Sequence, residues 1–335
     1  MLRQFAASLI LTILATLGVG IVLGPGAAVT TLILIAIEVA FSFDNAVINA
    51  KILERMSNVW RRLFLTLGML IAIVGMRLIF PILIVSVTAK LGWQRVVDLA
   101  LNKPDQYAHF LEAAHVTISA FGGGFLLVLV LFFFLDHERE LVWLDKIERP
   151  LQRLGGAIWL APAIAAVLIG LTAALSKQPG PVLKAGLAGV LLYTIIHAVI
   201  ETLGRLTGND KVGTYTGWGA ATAFIYLEVL DASFSFDGVL GAFAITNIVP
   251  IIAIGLGVGA LWVRSLTLYM VKNGTLAAYR YLEHGAHYAI LVLVLALLVS
   301  IFVNIPDAVT GIAGLGVIGA SLIASREANA HRGKA

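Results

Sequence analysis

The chain has 335 residues, of which 60% are apolar and only 13% charged, with a formal net charge of +4 and no cysteine. That composition excludes a soluble globular domain. The lack of cysteine excludes a disulfide framework and a thiolate metal site. In so apolar a chain the basic residues are topology signals first, so the partner is the lipid bilayer and nothing is left over for nucleic acid.

Apolar runs long enough to cross ~30 Å of hydrocarbon as helix lie near 5–23, 28–49, 63–88, 111–135, 156–175, 182–203, 219–247, 248–270, 286–304 and 306–324. The expected fold is therefore all-α, a polytopic membrane protein of about ten transmembrane helices. Arg3 followed by an apolar run to Leu23 resembles a signal peptide as well as a first span. A retained helix is expected, and cleavage between Gly26 and Ala28 is the alternative, leaving nine spans.

With the N-terminus cytoplasmic, the inner segments hold Arg3; Lys51, Arg55, Arg61, Arg62; Arg139, Lys146, Arg149, Arg153; Arg205, Lys211; Lys272, Arg280; and Arg326, Arg332, Lys334. The outer loops hold only Lys90, Arg95, Lys103, Lys177 and Lys184. This asymmetry obeys the positive-inside rule and puts both termini in the cytoplasm. The segment 136–153 reads as an amphipathic cytoplasmic connector, its charges forming a solvated face.

Five spans before the halfway point force the second half to enter from the opposite side. The expected organisation is a first repeat at 1–155, carrying the connector, and an inverted second repeat at 156–335. Echoes between the halves agree with this. GluValAlaPheSerPheAspAsn at 38–45 and AspAlaSerPheSerPheAspGly at 231–238 share PheSerPheAsp, and each spaces two carboxylates six positions apart. Gly68 precedes Arg77 by nine residues, as Gly255 precedes Arg264. PheLeuGluAlaAlaHis at 110–115 opens span four, as TyrLeuGluHisGlyAlaHis at 281–287 opens span nine. Gly186, Gly189, Gly255, Gly257, Gly259, Gly311, Gly314 and Gly319 read as close-approach points between helices.

An ionised side chain at mid-bilayer costs at least ~2.5 kcal/mol, so Glu38, Asp44, Glu228, Asp231 and Asp237 in matching frames need a reason. A cation supplies one. On an ideal helix Glu38, Ser42 and Asn45 share a stripe, as do Asp231, Ser235 and Gly238, whereas Asp44 and Asp237 lie about a third of a turn away and ~9 Å further along the axis. Helix breaks at Asn45 and Gly238, residue types that tolerate left-handed backbone, would let both carboxylates face one ion. The oxygen set suits a hard divalent cation, Mn²⁺, Ca²⁺ or Mg²⁺, and an imidazole from His115 or His287, with Glu112 and Glu283 nearby, tilts it toward Mn²⁺. Ser42 and Ser235 are secondary ligand candidates. Arg77 and Arg264 are candidate counter-charges, or alternatively fixed salt bridges. His197 and Glu201, without partners in span one, read as interfacial.

At these residues the sequence resembles the TerC family of tellurium-resistance membrane proteins, most closely a bacterial branch long carried as a domain of unknown function. The family's acidic-x5-AspAsn word falls on Glu38, Asp44 and Asn45. Its Glu-x2-Asp-x5-Asp word falls on Glu228, Asp231 and Asp237, followed here by Gly238 where Ser is common. The resemblance implies a metal-ion transporter of the bacterial cytoplasmic (inner) membrane, with manganese export as its activity and no prosthetic group. It does not determine the oligomeric state. The other readings are an amino-acid or small-solute exporter, a non-transporting membrane stress factor and an intramembrane aspartic protease using Asp44 and Asp237. The GlyxGlyAsp word of such proteases is missing, and five acids with matched arginines exceed what an aspartyl pair needs, so no enzyme is expected.

Overall fold

The computed structural model describes residues 2–206, 217–243, 245–246, 248–303 and 305–332. The side chains of 2–4, 203–206, 233–237, 240, 307 and 331–332 lie outside the description. Of the described residues 87% are helical, and none lies in a strand. The principal helices are α1 (Leu2–Leu23), α2 (Pro25–Phe41), α3 (Phe43–Glu54), α4 (Asn58–Thr88), α5 (Trp93–Asn102), α6 (Pro104–Leu135), α7 (Asp145–Leu154), α8 (Leu160–Leu175), α9 (Pro179–Leu206), α10 (Gly217–Phe243), α11 (Val249–Lys272), α12 (Leu282–Ser300) and α13 (Asp307–Arg332).

Each apolar run picked out by hydropathy is mostly helical over its described residues, yet the helices differ in reach. Among the described residues seven are long and apolar enough to cross a membrane, and α2 with α3, bent by 54°, make an eighth if the pair is one span. α8 is apolar but only 16 residues long. Leu9, Ile10, Leu14, Leu17 and Ile21 on α1 are exposed while Glu38, Asp44, Arg77, Glu228, Asp231 and Arg264 are buried. Apolar outside and charged inside is the build of a multi-pass membrane protein.

The helices gather into two compact units. The first comprises 1–115 and 214–273, the second 116–213 and 274–335, so both cut across the sequence halves 1–155 and 156–335. In the first unit α11 packs on α1, α2, α3 and α4. Its glycines explain how. A Cβ on Gly255 would meet Leu34 Cβ at 2.6 Å, one on Gly259 would meet Glu38 Cγ at 2.6 Å, and one on Gly257, on the opposite side, would meet Ile73 at 3.1 Å. α11 thus wedges between α2 and α4 at backbone distance. Ser8 Oγ lies 2.9 Å from Ser265 Oγ, and Trp262 Nε1 donates to Thr12 Oγ1 at 2.9 Å, tying α1 to α11.

α4 is wound unusually. Phe64–Gly68 and Ile71–Ile79 are π-helical, and the Phe80 N–H reaches back to the Gly75 carbonyl. Pro81 follows, a residue with no N–H to give and a ring that crowds the carbonyl four positions earlier. The wider turns before it absorb that misfit. In the second unit α12 packs on α13 and α9 on α8.

Of the small residues read as close-approach points, Gly186 abuts Ile169 and Gly189 abuts the Phe121 backbone, whereas a Cβ on Gly319 would meet nothing within 4 Å. Gly189→Ala is expected to lower the melting temperature in detergent, with a cost of about 1–3 kcal/mol for the backbone shift it forces. Gly170→Ala, in open space on α8, should be neutral or raise it, since mid-helix glycine costs roughly 0.5–1 kcal/mol relative to alanine.

Candidate functional site

Glu38 occupies the last turn of α2 and is 5% exposed. α2 ends at Phe41, and Ser42, at φ −100° and ψ 18°, is the joint to α3. The break therefore falls three residues before the expected Asn45. Ser42 keeps its N–H on the Glu38 carbonyl at 3.0 Å and donates its hydroxyl to Glu38 Oε1 at 3.2 Å. The joint thus ties the acid to the bend. Asp44 sits in the first turn of α3, where a carboxylate complements exposed backbone N–H groups, and its Oδ1 accepts from the Asn45 N–H at 2.8 Å. In the second word α10 runs unbroken through Gly238. The expected break there is not present. Gly238 instead makes room, since a Cβ would stand 3.1 Å from Glu38 Oε2.

Two arginines hold the acids. Arg77, in the π-wound part of α4, donates Nη2 to Glu38 Oε1 and Nη1 to the Ala72 carbonyl at 2.7 Å. Arg264 on α11 donates Nη2 to Glu228 Oε2 at 3.2 Å and to Asp231 Oδ2 at 3.3 Å, and Nη1 to the Phe64 carbonyl at 2.7 Å. Its guanidinium also lies 4.1 Å from the centroid of the Phe64 ring. Each arginine pairs with carboxylates of its own half of the sequence, while Arg264 also reaches Phe64 in the first half. Asn45 crosses between the halves, giving Nδ2 to Asp231 Oδ1 at 2.8 Å. The two sequence words are thus adjoining in space.

The chemistry this permits is cation binding with internal charge compensation. Glu38, Glu228 and Asp231 are bonded to two guanidiniums and Asp44 is buried beside Asn45, so four ionised carboxyls against two arginines would leave two formal negative charges. Asn45 Oδ1 and Asn49 Oδ1, both buried, have no hydrogen-bond partner among the described residues. Among the described residues no three His, Asp or Glu side chains stand together as a metal cluster. The side chains of Asp237 and Ser235 lie outside the described residues.

Of the secondary ligand candidates, Glu112 is exposed on α6 and His115 is half-buried one turn on. His287 belongs to the second unit, where it stacks on Phe133 with 3.6 Å between centroids. Its Nδ1 is 2.8 Å from the Glu283 carbonyl, which only accepts, so Nδ1 carries the proton and Nε2 is left as the acceptor. Glu283 is half-buried. His197 stacks on Phe132 at 4.0 Å.

A family model with the description "Protein of unknown function (DUF475)" matches residues 43–332. The chain belongs to the DUF475 family. The match takes in Asp44, Asn45, Arg77, Glu228, Asp231, Asp237 and Arg264, and it begins five residues after Glu38. No curated protein and no solved structure matches the DUF475 chain.

The connector of the DUF475 chain holds a buried group that its charge pattern hid. Glu148 on α7 is 0% exposed, against the expectation that the charges of 136–153 form a solvated face. Its carboxylate accepts from Arg139 Nη1 at 2.9 Å, from the N–H groups of Leu144 at 3.1 Å and Trp143 at 3.3 Å, and from Tyr288 Oη at 3.4 Å. His284 Nε2 is 3.4 Å away, 2.9 Å from the Leu141 carbonyl and 2.5 Å from Arg139 Nη1. Four residues after Leu144, Glu148 satisfies the free N–H groups at the start of its own helix. Burial pushes the Glu148 carboxyl up, but the hydrogen bonds from His284 and Leu144 and the charges of His284 and Arg139 outweigh it and hold the group down at about 2.

A folded-state pKa below the unfolded value of 4.5 stabilises the docked connector above that pH, and the stabilisation is lost as pH falls from 4.5 toward 2. Trp143 fluorescence in the DUF475 chain should therefore change across that acid window, and Glu148→Gln should abolish the change. In the buried site, Arg77→Met leaves Glu38 uncompensated and should cost about 3–5 kcal/mol. Adding Glu38→Gln should recover part of that loss, as read by denaturant unfolding in detergent.

Proposed function

We propose that the chain is a membrane carrier for a divalent metal cation, built as two inverted halves of five spans and resident in the bacterial inner membrane with both termini cytoplasmic. The observation that carries this reading is the meeting of the two acidic words. Asn45 of the first bonds Asp231 of the second at 2.8 Å, inside a buried site whose described carboxyls outnumber its guanidiniums by two. One divalent cation, or two protons, balances that excess. Acids that take either species can exchange one for the other, which makes proton antiport the natural coupling.

The arginines support the carrier reading too. A cation entering among Glu38, Glu228 and Asp231 competes with Arg77 and Arg264 for the same oxygens, so site and counter-charge are alternately filled. Rocking of one half against the other would then expose the site to either side. The 54° bend between α2 and α3 fits the interrupted helices that form such sites. Mn²⁺ as cargo and export as direction rest on the TerC resemblance. An amino-acid exporter would need a cation free to bind the substrate carboxylate, and both buried arginines are engaged by acids.

The full chain in liposomes with an internal Mn²⁺-quenched dye is expected to pass Mn²⁺ faster with an opposing pH gradient. Glu38→Gln and Asp231→Asn should each lower the rate at least tenfold. No flux of Mn²⁺, Ca²⁺ or Mg²⁺ above protein-free vesicles would overturn the proposal, and flux indifferent to pH would remove the antiport from it.

A further inference from the structure

The acids and Asn45 do not use up the polar groups of this region. α3 is buried along Asp44–Ala50, and within it Asn49 stands four residues after Asn45, on the same helix face and ~6 Å further along the axis. Asn49 is 2% exposed and its Oδ1 has no hydrogen-bond partner among the described residues. Asn45 Oδ1 is in the same condition. For Asn45 the identity of the bare atom is fixed, because the other end of its amide faces the Asp231 carboxylate, which can only accept. A buried carbonyl oxygen without a donor costs ~1–3 kcal/mol, and α3 carries two of them one turn apart, the first on the residue that bonds Asp231.

Side-chain carbonyls in that condition suit a hard cation that has shed part of its water, since such ions take amide oxygens alongside carboxylates. We infer that Asn49, through its Oδ1, is a ligand for the carried divalent cation, extending the oxygen set of the acidic words one turn along α3 toward Lys51. The inference rests on the carrier reading above. It adds a neutral ligand that neither acidic word contains. A neutral oxygen lengthens the coordination set without adding charge, so the site can strip water from the ion while the charge balance stays with the carboxylates.

Asn49→Leu removes the oxygen at nearly constant volume. In the full chain in detergent, Mn²⁺ binding by calorimetry is expected to weaken on the order of tenfold in Asn49→Leu, a loss matching one charge-assisted contact. Its melting temperature without added metal should be equal to or above that of the wild type, because an unsatisfied acceptor has gone. Asn49→Asp should bind Mn²⁺ more tightly, and it keeps the test decisive if the leucine variant fails to fold. If either folded variant binds Mn²⁺ with wild-type affinity while Glu38→Gln has lost it, Asn49 is not a ligand and the carrier reading stands. Should the wild type bind none of Mn²⁺, Ca²⁺ and Mg²⁺, both fall together.

Discussion

The first unit depends on the desolvated contact between Arg264 and the pair Glu228 and Asp231. Three charged groups taken from water into a helical core are tolerable only if they compensate one another closely. Arg264 divides its Nη donors between two carboxylates and the Phe64 carbonyl while its plane rests on an aromatic ring, and its buried Nε has no partner among the described residues. That carbonyl stands at the start of the π-wound stretch Phe64–Gly68 of α4, so the charge cluster and the irregular helix meet at one residue.

The same economy appears at Glu38, with different means. Its carboxylate takes Arg77 and the Ser42 hydroxyl, and the helix carrying it stops within one turn. The first word thus sits on a bend and the second on an unbroken helix, although they share PheSerPheAsp. Gly238 contributes room for the Glu38 carboxylate rather than a joint. The two words differ in backbone while both offer acids to one neighbourhood.

Much of this was legible in the sequence, for identifiable reasons. Long apolar runs have one outcome in lipid, so the helices followed from hydropathy alone, and acids spaced alike in two apolar segments could be matched before any coordinates. The position of the bend could not, because Ser42 becomes a joint through its bond to Glu38, a contact that residue propensities do not encode. Glu148 escaped notice because a charged residue in a charged segment looks solvated, and only the docking of α7 beside α12 makes it a buried anion. Asn49 was overlooked because an isolated amide carries no pattern. Its meaning came from a missing donor.

Gly68 shows how far the electrostatics reach into uncharged positions. A methyl group there would overlap Glu228 Oε1 and the Arg264 guanidinium, so the hollow left by the absent side chain is what admits the ion pair. A lesion at this glycine would look like a charge defect, with an arginine displaced and two acids stranded, although the protein's formal charge had not changed at all.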